Sequence, residues 1–257
     1  MGVFKNLYNY RELIKTSVKK DVGGKYKHSF LGVLWSFINP LLQITVYAII
    51  FPLIMRNQIP HYTVFMVCGL IPWTYFSNVL NRSSWVIIEN GNILKKVYFP
   101  REILPLSLSL SETVNFLISS IIILAFVLFQ GMGLSIYVLF YPLILLVQFV
   151  LQFGIGLILS SVTVYIRDLQ HFIGVLLQLF FYATPIVYSS ESIPENYKWI
   201  LQLNPMTYVI DGYRDIFYYH TKPDIADLGV VLVIGIVVTI IGYIIFNKLQ
   251  KRFAEEL

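Results

Sequence analysis

Cysteine occurs once in the 257 residues, as Cys68, which excludes an intrachain disulfide and a thiolate metal cluster. The four histidines (His28, His61, His171, His220) are scattered, and none is paired at the spacing a metal site requires, so no metal is expected. Charged residues amount to only 13% against 57% hydrophobic ones, which rules out an ordinary soluble domain. No phosphate-binding loop is present: Gly23-Gly24-Lys25 is followed by Tyr26, with no hydroxyl for a magnesium ion and no preceding strand. No nucleophile–base pair stands out, and no internal repeat of three plus three spans points to a secondary transporter. The one carboxylate well inside an apolar stretch is Glu112, whereas proton-coupled carriers usually carry several. If the protein moves something uphill, a partner must supply the energy.

What remains is long apolar runs. The first follows Lys27 and reaches Arg56 without a charged side chain, enough for a helix crossing about 30 Å of hydrocarbon. It begins too late and runs too long for a cleaved signal peptide. Further spans are expected over Tyr62–Asn81, Ile103–Phe129, Leu134–Val162, Leu169–Tyr188 and Leu228–Phe246. The expected fold is therefore all-α and membrane-embedded, a single transmembrane domain of six spans over 30–246. Residues 1–24 read as an amphipathic interface helix ended by Gly23-Gly24, and residues 247–257 as a tail. Between spans five and six, residues 189–223 alternate apolar pieces with Pro194 and Pro205. Two short re-entrant helices are expected there.

Of nineteen Lys and Arg residues, fifteen fall in the first 30 residues, the 82–101 loop, the 165–168 connection and the tail. The other four, Arg56, Lys198, Arg214 and Lys222, lie in the opposite loops beside Glu191, Glu195, Asp211 and Asp215. The positive-inside rule then puts both termini in the cytoplasm. This segregation also explains the net charge of +5 without nucleic acid.

Two spans carry polar stripes. Ser29, Gly32, Ser36, Asn39, Gln43 and Tyr47 fall on one arc of roughly 80° at helical spacing, as do Gln170, Gly174, Gln178, Phe181, Pro185 and Tyr188. Lipid cannot satisfy hydroxyls and amides, so such faces meet protein or water. Helix–helix packing through small residues and a path for a polar cargo both fit.

The stretch Tyr26-Lys27-His28-Ser29-Phe30-Leu31-Gly32-Val33-Leu34-Trp35, through Pro40-Leu41-Leu42, resembles the signature of type-2 permeases of ATP-binding-cassette exporters. The branch it is most similar to moves O-antigen, capsular polysaccharide and teichoic acid. That signature usually has Arg at or beside Lys27, so the charge is kept. The resemblance covers essentially the whole chain, including Phe99-Pro100-Arg101, Arg167-Asp168 and Asn204-Pro205-Met206. It implies a homodimer in the inner (cytoplasmic) membrane, docked to two ATPase subunits that hold ATP and magnesium, with no cofactor on this chain. On that implication Trp35, Asn39, Gln43, Tyr47, Gln178, Phe181, Tyr182 and Tyr188 would meet across the dimer and line the path of a lipid-linked polysaccharide. Sugars stack C–H faces on aromatics and offer hydroxyls to amides. Lys25, Lys27, His28 and Arg167 would hold the pyrophosphate at the cytoplasmic mouth, although plain positive-inside anchoring explains them too. Glu89, Asn92, Lys95, Lys96, Tyr98, Phe99 and Arg101 would form the ATPase-coupling loop, with Val97, Tyr98 and Phe99 exposed for a partner, and residues 189–223 would form an outer lid. A drug or antibiotic exporter permease, and an integral membrane enzyme acting on lipid-linked sugars, are the rival readings. The enzyme would need clustered acids or histidines at one membrane face, which the sequence lacks.

Overall fold

The computed structural model describes residues 8–24, 34–55, 59–97 and 99–257. Among these residues every regular element is helical. Helix α1 (Arg11–Gly24) precedes α2 (Trp35–Met55) and α3 (Tyr62–Ser83). Two single-turn helices follow, α4 (Val86–Glu89) and α5 (Gly91–Leu94), and then α6 (Ile103–Phe129) and α7 (Tyr141–Val162). The chain continues through α8 (Leu169–Tyr182), α9 (Lys198–Leu203), α10 (Pro205–Arg214), α11 (Ile225–Leu249) and α12 (Phe253–Glu256).

Among the described residues four helical stretches are long and apolar enough to cross a membrane: Tyr62–Ser83, Ile103–Phe129, Ile136–Val162 and Ile225–Arg252. Within the described residues the other two expected spans present shorter apolar helices. The apolar part of α2 is Phe37–Leu53, and α8 has 14 residues, about 21 Å at 1.5 Å per residue. Helix α8 ends at Tyr182 rather than continuing to Tyr188. Pro185 accounts for the stop, because the residue before a proline is pushed out of the helical region. Helical spacing therefore does not extend to Pro185 and Tyr188, which lie in the turn that follows.

Helix α3 is the central post. It buries fifteen of its residues, from Val64 to Ser83, against α2, α6, α7, α8 and α10. Helices α7 and α11 approach so closely that a Cβ on Gly154 would sit 2.6 Å from the Thr239 backbone nitrogen, and one on Gly242 would sit 2.7 Å from the Gly154 carbonyl. The Thr239 hydroxyl donates to the Val150 carbonyl at 3.1 Å. The small-residue face of the last span is thus a backbone-to-backbone seam of the kind that binds helices in lipid. Gln148 ties α7 to two neighbours: its Nε2 donates to the Pro72 carbonyl at 2.8 Å and its Oε1 accepts from Tyr213 Oη at 3.1 Å.

Two cores result. The larger joins α3, α7, α8 and α10. The smaller lies at the end of the bundle that carries both α1 and the C-terminus. There Val86, Ile87, Leu94 and Phe99 pack with Ile103, Leu104, Leu157, Phe246 and Phe253. At the opposite end, α10 starts with Asn204 as its cap. The Asn204 Oδ1 accepts from the Met206 amide at 3.0 Å, and Pro205 occupies the first helical position.

Candidate functional site

The polar stripes of α2 and α8 lie on helices that bury few of their described residues. On α2, Ile44 points inward and is 2% exposed. Asn39 is exposed, and Trp35, Gln43 and Tyr47 are half-buried. On α8, Gln178 and Tyr182 are exposed, while Phe181 is buried. The aromatic ends of the stripes meet within one chain. The Tyr47 and Phe181 rings are 5.9 Å apart, Phe181 stands edge-on to Trp73 at 6.0 Å, and Tyr182 lies at right angles to Phe181 at 5.2 Å. Tyr188, beyond the helix, donates from Oη to the Tyr182 carbonyl at 2.8 Å. Four of the eight expected lining residues are thereby brought together. Gln43 turns instead to a small polar pocket of about 40 Å³, shared with Thr74, Asn78, Glu112, Asn115 and Ser119.

The 82–101 loop divides into an outer and an inner side. Glu89, Asn92, Lys95 and Lys96 are exposed, as are Ile93 and Val97. The loop forms two single helical turns that meet at Asn90, whose Nδ2 donates to the Val86 carbonyl at 2.8 Å. Phe99, expected to face a partner, is only 7% exposed and belongs to the smaller core. Phe99 and Pro100 lie outside any helix, just ahead of the start of α6 at Ile103. Arg101 is half-buried with its guanidinium over the Phe253 ring, 5.7 Å from its centre. Tyr98 lies outside the described residues.

Of the proposed pyrophosphate holders, Lys25, Lys27 and His28 also lie outside the described residues. Arg167 is exposed, and its Nη2 donates to the Glu256 carbonyl at 3.2 Å.

A feature that the sequence reading missed lies beside this loop. Between α1 and the adjoining ends of α3 and α6 is a cavity of about 1030 Å³. Lys19, Lys20, Arg82 and Ser111 give it polar walls, and Leu13 and Leu108 apolar ones. At its edge Arg82 grips Asp21 of α1 with two parallel bonds of 2.6 and 2.9 Å and reaches Glu112 of α6 at 2.5 Å. The Glu112 side chain is 1% exposed and the other two about a third. A carboxylate buried this deeply needs a cation, because desolvating it unpaired costs several kcal/mol. A lone acid inside an apolar run was the one signal for this arrangement. The partner thirty positions away left no mark of its own.

At the opposite end Arg214 is itself buried. Its Nη2 donates to the Ile186 carbonyl at 2.9 Å, Nη1 lies 3.5 Å from Asp211 Oδ1, and the guanidinium stacks 3.6 Å from the centre of the Phe65 ring. This cation pins α10 to α3 and to the turn after α8. Burial raises the carboxyl of Asp211 above its ordinary range despite Arg214. Asp215, half-buried, is pushed up to about 6 by burial and then by the charges of Asp211 and Asp224.

Comparison with known proteins finds the ABC-2 type transporter profile over residues 12–218. An O-antigen export system permease protein RfbA from Klebsiella pneumoniae is 40% identical over 253 residues, covering 98% of this chain and 97% of the relative. One of the same name from Myxococcus xanthus is 34% identical over 255 residues, with 98% of each chain covered. The polysialic acid transport protein KpsM of Escherichia coli is 29% identical over 198 residues, 75% of this chain and 74% of that one.

Proposed function

Because this chain belongs to the ABC-2 type transporter family, we propose that it is the membrane subunit of an ATP-driven exporter of a lipid-linked polysaccharide. Two copies form the conduit, each with six spans, α1 on the cytoplasmic surface and α9–α10 re-entrant from the outer side. Both termini are cytoplasmic, in the inner membrane. Two separate ATPase subunits bind ATP and magnesium and dock on the 82–101 loop, and this chain carries no catalytic group of its own.

The observation that carries the reading is the exposure of Asn39 and Gln178 on apolar helices that also contribute rings to an aromatic cluster. Amides facing lipid are costly. A second copy, together with a hydrated sugar chain, relieves that cost, and Tyr47, Tyr182 and Tyr188 supply stacking surfaces for sugar rings. The relatives named for O-antigen export and polysialic acid transport support this choice of cargo.

The test is export of lipid-linked glycan by the chain reconstituted with its ATPase. Tyr47→Ala with Tyr188→Ala is expected to abolish export while the protein stays monodisperse, and undiminished export defeats the proposed lining. Polymer-stimulated hydrolysis that survives neutralising both Lys27 and Arg167 removes these residues as pyrophosphate holders. The large cavity at α1 suits a smaller amphiphile as cargo. ATPase stimulation by such a lipid, and none by glycan, would select that alternative.

A further inference from the structure

The last eight residues do not trail away, as exposed termini usually do. After α11 ends at Leu249 the chain makes one tight turn over Gln250–Arg252 and re-enters the protein as α12. The Phe253 ring is fully buried. It stands edge-on to Phe246 at 5.6 Å and tilted against Tyr165 at 6.4 Å, with the Arg101 guanidinium over its face.

The carbonyls at the end of a helix need donors from outside it, and here the two loops at this end provide them. Tyr165 Oη donates to the Leu249 carbonyl at 2.8 Å, Arg101 Nη1 donates to the Gln250 carbonyl, and Arg167 Nη2 donates to that of Glu256. Leu257 closes the tail against Gly91, where an added Cβ would stand 3.7 Å from its side chain. Arg101 and Gly91 come from the 82–101 loop, and Tyr165 and Arg167 from the 165–168 connection. Sequence positions about seventy apart are thus bridged through one short segment.

We propose that residues 250–257 are a strap that locks the two loops into one rigid face and contributes a charged rim to it. Trp85, Ile93, Val97 and Ile166 are exposed apolar residues of the loops, at 37%, 44%, 56% and 56%. Lys251, Arg252, Glu255 and Glu256 of the strap are exposed beside them. The occupant of this face is the ATPase subunit, an assignment that rests on the ATP-driven reading; the strap itself rests on the contacts alone. A loop that must pass on a partner's movement works only if it cannot slide against its neighbours, and the strap supplies that constraint.

Two measurements on the full-length complex test the proposal separately. The first is amide hydrogen exchange in the intact chain, in a chain ending at Leu249, and in the milder Phe253→Ala variant. Exchange in 86–97 and 164–168 is expected to quicken about tenfold or more without the strap, while the amides of α3 and α7 stay protected. Unchanged protection of both loops in both variants overturns the strap. The second is glycan exported per ATP hydrolysed, expected to fall about fivefold or more, with Phe253→Leu largely restored. Loosened loops with undiminished export per ATP overturn the role in coupling. Should the intact complex show no coupled hydrolysis, the ATP-driven reading fails instead, and the exchange result still decides the strap.

Discussion

Helix α3 and the pair α2 and α8 are all apolar, yet they stand in opposite relations to the rest of the chain. Over its most apolar stretch α3 is 78% buried. Among the described residues of α2 the buried hydrophobic one is Ile44, and α8 buries Ile173, Leu177 and Phe181. Where α3 is polar, several of its groups are matched, Arg82 by two carboxylates and Tyr75 Oη by the Thr113 hydroxyl at 2.7 Å, whereas the buried Ser83 hydroxyl finds no hydrogen-bond partner among the described residues. Where α2 and α8 are polar, Asn39 and Gln178 face outward. Hydrophobicity alone does not separate a structural helix from a working one. Whether the polar residues have been answered within the same chain does.

If α3 is the post, changes to its matched charges should harm the fold most. Arg82→Ala removes a bonded cation from buried Glu112, and a loss of about 3–5 kcal/mol is expected, read as poor recovery and a much lower midpoint in thermal unfolding. Asp21→Asn should be far milder, because Glu112 keeps Arg82. If the two variants prove equally damaging, the buried carboxylate is not what makes the site costly.

Glycines extend the contrast. Gly154→Ala drives a methyl group into the α11 backbone, and roughly 1–3 kcal/mol should be lost, as for an overpacked core. On α8, a Cβ at Gly174 meets nothing within 4 Å. Gly174→Ala should therefore leave the melting temperature unchanged or raise it, since alanine is the better helix former.

The buried half of this comparison was the more legible. Length and apolar composition, which local sequence records, mark four of the six expected spans. Which polar residues find partners depends on contacts between distant positions, and those leave no periodic trace. Phe99 reads as exposed because its loop is charged; it is buried because the loop folds over a core formed by α6, α11 and the C-terminus. Likewise Asp21 and Arg82 look like ordinary surface charges until α1 is laid against α6.

Asp215 gives a smaller and pH-dependent effect at the opposite end. Its acid is raised from 3.8 to about 6. Below the lower value it is protonated in both the folded and unfolded states, and no penalty arises. As pH rises from about 4 to 6 the unfolded chain ionises first, so stability falls across this window and stays low above it. Asp215→Asn should therefore stabilise the protein at pH 8 by about 1 kcal/mol, allowing for its half-exposed position. The gain should vanish near pH 4 when melting is followed in detergent.

The smallest expected effect on the fold belongs to Asn39→Leu and Gln178→Leu, and it is the most telling about function. Both side chains are exposed on apolar helices, so exchanging an amide for an isobutyl group should shift stability by no more than about 0.5 kcal/mol in either direction. A packing face between helices of one chain would behave otherwise, losing its contacts along with its amides. If each variant folds and still couples ATP hydrolysis to the ATPase subunit, but exports glycan at least about tenfold more slowly, the amides serve the cargo and not the bundle. If export is untouched as well, these faces are met by protein or headgroups that tolerate leucine, and the path runs elsewhere. A conduit for a hydrated polymer is paved with groups that the isolated fold does not need. Residues dispensable to α2 and α8 as helices are thus the ones on which transport should depend.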